Sequence, residues 1–507
     1  VNKVDGGVLI RADAGGELGS GHVMRMIALG EALMEQGAKV LILSGSCPES
    51  LVKRIEASGL AWKGFACPQL GSEADLEATL TELDEGHFQE CVLDGYHFSD
   101  AYQACIKASG VRLLVVDDYG HAEHTHADLL LNQNPGGESR HYGHGPHVLA
   151  GTRYGLLRRE FREAAITLAS VVEKGRGQSK RRLLVTLGGV DADNVSARVL
   201  KLLQTAAGGI PLEVELLLGA ANPHEETLQR LVGELTFPVH FHKSVHDVRD
   251  LYACVDGVIS AGGSTCLEWL LYRRPGCIVI LAENQEPLTR SLVAEPGVVS
   301  LGWFTELDKE AAAGQLRSWL ATSDTPGKRV DGWGALRVAA ALRELPFWLR
   351  PATMEDAART LELANDPAVR AQSLNTELKA AGDHVAWLER RIARKDYRIW
   401  LGFDTANEAF VGTIRLEWEP EQSAWRISFA VTAAYRGQGM GTRLLKTGME
   451  SLVREFPDAG PVVFHATVRI GNSASERVFR KLGFREVEPL HEGTFQFTKE
   501  IDVGSVS

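Results

Sequence analysis

The chain has 507 residues, 44% hydrophobic and 24% charged, with a formal net charge of −12. That length exceeds one hydrophobic core and calls for two to four domains. The acidic balance excludes a general nucleic-acid binder, which needs clustered Lys and Arg, and no apolar run approaches the roughly 20 residues that span a bilayer.

Seven Cys without a CxxC pair indicate neither a disulfide framework nor a zinc ribbon. Val1 to Asp5 lack the basic and apolar segments of a secretory signal. A reducing cytoplasm is the expected compartment, with no membrane or nucleic-acid partner.

In chain order, Val8 to Ile10, Val40 to Leu43, Cys91 to Leu93 and Leu113 to Val116 read as buried strands. Met24 to Gln36 has helical spacing and stops at Gly37, a suitable C-terminal cap. This βαβ series predicts a parallel sheet covered on both faces. Glu173 to Arg182, charged and containing Gly and Ser, reads as a hinge. A second series follows, with strands at Arg182 to Leu187, Val214 to Leu218, Val255 to Ser260 and Cys277 to Leu281, the first three ending in glycine turns. Two such halves facing a cleft have the GT-B arrangement of sugar-nucleotide enzymes, whose ligands bind at the C-terminal strand ends. A third unit starts near Phe347, with helices first. Strands follow at Trp400 to Phe403, Val411 to Leu416 and Trp425 to Val431, then a glycine loop, a helix, a strand at Val462 to Val468 and a last helix ending at Gly483. The expected fold is α/β, two Rossmann-like halves (1–160 and 161–345) followed by an α+β domain (346–507).

Arg11-x-Asp13 leads into Gly19-x-Gly21-His22-x-x-Arg25, a loop that opens a helix. Its glycines let a ligand approach the backbone, and helix N-terminal amides bind anions. His22 falls in the first turn, where the helix dipole favours the neutral ring. A neutral His facing a cleft is a general base for water; on the loop alone, a capping histidine is the commoner reading. Arg25 has two candidate partners, a phosphate or Asp13.

The pattern resembles the hydrolase of the pseudaminic acid pathway, which removes UDP from UDP-2,4-diacetamido-2,4,6-trideoxy-β-L-altropyranose. Agreement continues in order through Asp94-Gly95-Tyr96, Asp117-Asp118, Ala127 to Asn132, Gly151 to Phe161, Leu187 to Asp191 and Asn284-Gln285-Glu286. The resemblance implies hydrolysis of the anomeric C–O bond by an activated water, with inversion. It makes His22 the base and places Tyr96 and Asn284 in the sugar pocket, with Gln285 beside them. The family motif has His where Gly95 stands here, and His97 follows Tyr96 instead. Gly262-Gly263-Ser264-Thr265 would present amides and hydroxyls to the pyrophosphate. Glu268, one turn on, is either a ribose ligand, as in similar UDP-sugar enzymes, or an ordinary helix carboxylate. The expected partner is a UDP-activated diacetamido or amino sugar. A UDP-sugar glycosyltransferase and a nucleotide-binding module are the competing readings.

His121, His124, His126, His141, His144 and His147 fit no standard zinc spacing, and no Cys is nearby. They read as a solvated loop, and no metal is expected.

Near the C-terminus, Arg436-Gly437-Gln438-Gly439-Met440-Gly441-Thr442 sits between a strand and a helix, where consecutive amides can form a nest for a pyrophosphate. It resembles the acetyl-coenzyme A loop of the GNAT acyltransferases, and Asn472-x-x-Ser475 followed by Phe479, Lys481 and Gly483-Phe484 matches their final helix. Acetyl-coenzyme A is the implied cosubstrate. Many family members carry a Tyr acid where Phe479 stands; a phenyl ring donates no proton, so Ser475 or a water takes that role or the domain is inactive. Glu417 and His465 are weaker candidates for the base. Asn365-Asp366-Pro367-x-Val369-Arg370 and His384-x-x-Trp387-Leu388 resemble GNAT enzymes that acetylate amino-sugar nucleotides.

Overall fold

The computed structural model describes residues 6–15, 18–67, 69–172, 180–219, 222–243, 245, 247–327, 330–457, 460–489 and 491–505. Val1 to Asp5, and residues 173–179 of the expected hinge, lie outside the described residues; Arg181 and Arg182 already belong to a strand. The chain forms two compact units, Val1–Met34 with Ala38–Leu342, and Glu35–Gly37 with Arg343–Ser507.

The first unit holds two parallel sheets. One contains β1 (Gly7–Ala12), β2 (Lys39–Ser44), β3 (Ala61–Gly64), β4 (Phe88–Asp94), β5 (Arg112–Val116), β6 (Leu129–Asn132) and β7 (His147–Ala150), in the order β3-β2-β1-β4-β5-β6-β7. Val8, Leu9 and Ile10 are fully buried together. A strand covered on both faces reads as an apolar run, without alternation. The sequence reading placed four of these seven strands. The other three are β3 and β7, edge strands with exposed residues and no apolar run, and β6, which is buried but only four residues long.

The second sheet contains β8 (Arg181–Thr186), β9 (Leu212–Leu218), β10 (Val239–Lys243), β11 (Gly257–Ala261), β12 (Gly276–Ile280) and β13 (Val298–Trp303), in the order β10-β9-β8-β11-β12-β13. Each sheet therefore reverses winding direction once, between β1 and β4 and between β8 and β11. A crevice for a ligand opens at such switch points, beyond the C-terminal strand ends. The loops at the two switch points lie close together: a Cβ built on Gly189, after β8, would stand 3.2 Å from Ser20 Oγ in the loop after β1.

The second unit is a mixed seven-stranded sheet: β14 (Phe347–Pro351), β15 (Tyr397–Asp404), β16 (Phe410–Glu419), β17 (Ala424–Val431), β18 (Val462–Arg469), β19 (Arg485–Val487) and β20 (Thr494–Ile501), ordered β14-β15-β16-β17-β18-β20-β19. Its opening differs from the expectation of helices first. The unit begins with β14, an edge strand where Pro351 is tolerated. It also continues past the last expected helix into β19 and β20. The parallel neighbours β17 and β18 pair only at Trp425↔Phe464 and Arg426↔His465. Beyond those positions the two strands part, leaving a V-shaped opening in the sheet. No described helix is long and apolar enough to cross a membrane.

Candidate functional site

The helix Gly21–Glu35 starts directly after the glycine loop and carries His22 and Arg25 on one face, three residues apart. Both point to the carboxylate that ends β4. His22 Nδ1 lies 2.7 Å from Asp94 Oδ1. Arg25 Nε donates to Asp94 Oδ2 at 2.6 Å, and its Nη1 reaches both oxygens of Asp118 at 2.8 and 2.9 Å. Burial opposes charge on Asp94, but Arg25, and then His22, hold its carboxyl well below the usual range. An ionised Asp94 accepts the Nδ1 proton. The second contact to this nitrogen, from Arg25 Nη2 at 3.2 Å, is longer. Nε2 then carries the lone pair, as a general base requires.

Tyr96 packs against this pair. Its ring meets His22 edge-on, with centroids 4.9 Å apart. Its hydroxyl donates to Asp118 Oδ2 at 2.7 Å and accepts from Asn284 Nδ2 at 3.2 Å. Burial first, and then the Asp118 charge, push the phenol far above its ordinary pKa, so it stays protonated. Asn284 lies on the turn Glu283–Gln285 after β12, so this hydrogen bond joins the two sheets across the cleft. Gly95 also has a structural reason: a Cβ there would stand 2.6 Å from His97 Cε1. The glycine admits a folded-back His97 ring, whose Nε2 lies 3.2 Å from Asp13 Oδ2.

Arg25 does not pair with Asp13. Asp13 belongs to Arg11 instead, at 2.7 Å, while Arg11 Nη2 also reaches Asp75 at 2.8 Å. Arg11 is fully buried and Asp13 nearly so. These side chains brace the strand ends, and Asp13 Oδ1 also accepts from the amides of Gly45 and Ser46. Gly21 offers open space where a Cβ would sit.

At the second switch point, Ser264 caps the short helix Thr265–Leu271, and its hydroxyl makes no capping bond. Gly263 leaves open space, whereas a Cβ on Gly262 would stand 2.6 Å from Thr289 Oγ1. Gln285 Oε1 accepts from the amides of Gly262 and Leu281 at 3.2 and 3.0 Å, so its carbonyl end fixes the loop. Glu268 accepts from the Tyr252 hydroxyl at 2.7 Å and lies 3.5 Å from Arg158. Burial raises its pKa although Arg158 opposes the shift.

The histidine-rich stretch divides. His126, His141, His144 and His147 are exposed, but His121 and His124 are not the solvated loop residues expected. Asp117 Oδ1 lies 3.1 Å from His121 Nδ1, and Asp117 Oδ2 lies 3.0 Å from His124 Nε2. Asp117 Oδ1 also accepts from the amides of Tyr119 and Gly120, and Gln103 Nε2 lies 3.0 Å from His124 Nδ1. Among the described residues this trio, and Glu213 with Glu215 and His240, bring three ligand atoms within 4.8 Å. In the first trio, metal binding would have to displace hydrogen bonds already made.

In the second unit, Gly437 and Gly439 have φ of +77° and +73°, with nothing within 4 Å of an added Cβ. Gly439 starts the helix Met440–Arg454, whose first amides, with Gly441 and Thr442 in that turn, open onto this cradle. Arg436 and Gln438 turn their side chains onto the protein, to Val431 O at 2.9 Å and Ala434 O at 2.7 Å. Asn472 caps its own helix through the Ser475 amide, at 3.1 Å, which is a helix-start role. Phe479 is buried among Phe429, Phe484 and Phe497. Ser475, one turn before it, is half-buried. Glu417 is held by Arg391, Arg394 and Arg426. His465 is buried against Glu419, at 2.8 Å; burial lowers its pKa although Glu419 opposes the shift.

Asp94 and Asp118 stand in the matching sequence segments, but no role was read for them. The available signal was their position, at or just past the C-terminal ends of buried parallel strands.

Residues 347–485 match the family described as acetyltransferase (GNAT) domain. The N-terminal part is similar to an uncharacterised protein of Methanocaldococcus jannaschii, 22% identical over 291 residues, 55% of this chain and 56% of that one. The match therefore spans little more than half of that relative's length. It is also similar to the UDP-2,4-diacetamido-2,4,6-trideoxy-β-L-altropyranose hydrolase of Campylobacter jejuni, 25% identical over 297 residues, 57% of this chain and 97% of the relative. The spore coat polysaccharide biosynthesis protein SpsG of Bacillus subtilis is 24% identical over 352 residues, 66% and 97%.

Proposed function

For a chain that joins a homologue of the altropyranose hydrolase and of the spore coat protein to a GNAT domain, we propose two consecutive reactions on one UDP-sugar series of pseudaminic acid synthesis. The first unit hydrolyses UDP-2,4-diacetamido-2,4,6-trideoxy-β-L-altropyranose, and the second acetylates the amine of the preceding UDP-amino sugar. Both belong in the cytoplasm, where sugar nucleotides are made.

The observation that carries the hydrolase reading is the Asp94–His22 pair under Tyr96, at the switch point facing Asn284. His22 Nε2 takes a proton from water as the oxygen attacks the anomeric carbon. The C–O bond breaks on the opposite face, and UDP leaves with the bonding electrons. Asp94 stabilises the imidazolium so formed, and Tyr96 and Asn284 orient the sugar. The amides and hydroxyls of Gly262 to Thr265 receive the departing diphosphate, with Glu268 turned toward the ribose.

In the second unit, the open cradle at Gly437 and Gly439 fits a pyrophosphate. Acetyl-coenzyme A, when bound there, supplies the thioester carbon that the neutral amine attacks. Phe479 contributes packing only, so the thiolate's proton comes from Ser475 or a water.

The test is phosphorus and proton NMR of the diacetamido UDP-sugar with the protein, without acetyl-coenzyme A or acceptor. Free UDP and free sugar in equal amounts are expected, initially as the inverted anomer. His22→Ala should keep UDP affinity and lose turnover; an unchanged substrate with wild-type protein refutes the hydrolase reading.

A further inference from the structure

Along β16 the side chains alternate. Ile414 and Leu416 are fully buried, and a Cβ on Gly448 of the helix Met440–Arg454 would stand 2.3 Å from Ile414 Cδ1. Arg415 therefore projects from the other face, where its guanidinium carbon lies 6.0 Å from the Trp387 ring centre on the helix Ala381–Ile392. Among the described residues no carboxylate or carbonyl receives this guanidinium, and its Nε is buried without a partner. The carboxylate two residues on, Glu417, is already engaged by Arg391, Arg394 and Arg426.

Arg370 lies on the helix Pro367–Gln372. It donates from Nη1 to Asn375 O at 2.9 Å and from Nη2 to Ser373 Oγ at 3.0 Å, and its Nε is likewise buried without a partner. Burial, and then the Arg415 charge, lower the Arg370 pKa. Burial, and then Arg415 and Lys379, do the same to His384. Part-buried guanidinium groups gathered without a counter-charge are costly to a fold, and a bound anion would remove that cost.

The position matters as much as the charge. Arg415 is opposite Ser428 on β17, within the stretch that has parted from β18. Arg469, at the end of β18, donates to Ala371 O at 3.0 Å, which ties the Arg370 helix to the other strand of the opening. Phe429 lies on the reverse face, where a Cβ on Gly441 of the glycine loop would meet its ring at 2.9 Å. The two arginines and the glycine loop thus approach the opening from opposite faces of the sheet.

We propose that Arg415 and Arg370 form an anion subsite of the acetyltransferase unit, which holds a phosphate group of the amine acceptor. The proposal rests on the acetyltransferase reading above and adds to it how the acceptor is selected. Guanidinium forks match phosphate oxygens in pairs, and the Trp387 face beside Arg415 gives an attached ring a flat apolar surface.

Two measurements on the full chain test it. The first compares KM for a UDP-linked amino sugar with KM for the same amino sugar lacking the nucleotide. The wild type should prefer the UDP-linked amine, and Arg415→Gln should weaken that preference by about 10- to 100-fold, the loss expected for one or two charge-assisted bonds. Arg415→Lys should restore part of it. An equal effect of Arg415→Gln on both acceptors overturns the proposal, as does a wild-type preference for a carboxylate-bearing amine. The second maps phenylglyoxal labelling of Arg415 by peptide mass spectrometry, with inorganic pyrophosphate as the probe. Protection by pyrophosphate supports the subsite even if neither amine is acetylated, in which case the amino-sugar reading fails alone. Identical labelling with and without pyrophosphate overturns the subsite.

Discussion

Replacing Asp94 by Asn isolates the contribution of one buried charge. The substitution keeps the shape, but the amide presents a donor to His22 Nδ1, so the proton moves to Nε2 and the base loses its lone pair. With charge centres roughly 4 Å apart and an effective dielectric of about 20, Asp94 stabilises the imidazolium by about 4 kcal/mol. That corresponds to about a thousandfold in rate. The fold should survive, because Arg25 keeps both bonds to Asp118. The losses there should stay near 1–3 kcal/mol. Initial rates of UDP release, with UDP affinity by calorimetry alongside, provide the assay. A kcat within tenfold of wild type, or UDP affinity falling in step with rate, would refute the assignment of Asp94 to the catalytic base.

Asp94 and Asp117 both have pKa values held well below the usual carboxylate range. A depressed folded pKa gives stability above the unfolded value near about 4, and this is lost as pH falls toward the folded value. Melting temperature should therefore drop steeply below about pH 4, with a shallower slope in Asp94→Asn; parallel slopes would contradict the linkage. Phe479→Tyr places a hydroxyl inside the aromatic cluster of Phe429, Phe484 and Phe497. It should destabilise by about 1–3 kcal/mol and fail to increase acetyl transfer; a faster enzyme would show that the ring reaches the reacting atoms. Gly439→Ala forces an L-residue into φ +73°, costing about 1 kcal/mol. It also places a methyl in the cradle, so KM for acetyl-coenzyme A should rise several-fold, and an unchanged KM would remove the loop from the site.

Both parallel sheets were legible because strands buried on two faces leave unbroken apolar runs, such as Val8 to Ile10 and Leu113 to Val116. The edge strands β3, β7, β10 and β13 were not, since one flank of an edge is wet and polar residues such as Lys63, His147, His240 and His242 are accepted there, and β6, though buried, is only four residues long. His22, Tyr96 and Asn284 stand at motif positions far apart in the chain, and the structure brings them together. The partners of the arginines could not be read. Arg11 and Arg25 stand in the same short motif, yet one braces Asp13 and Asp75 while the other braces Asp94 and Asp118. That choice depends on which strand ends lie side by side, a property of topology. His121 and His124 show the same limit, since a histidine-rich stretch does not reveal which rings turn inward onto Asp117.

The Tyr96–Asn284 hydrogen bond also has a kinetic consequence. It is 3.2 Å long, and Asn284 is exposed, so its net strength is about 1 kcal/mol, or roughly a fivefold bias toward the joined arrangement at 25 °C. Under the proposed hydrolysis, a latch this weak would cost little to release once the sugar and diphosphate are severed. Substrate contacts from both sheets would reinforce it, and separated products would not. Occupancy of the intact nucleotide sugar would then set how long the doorway stays shut, and cleavage itself would signal its opening.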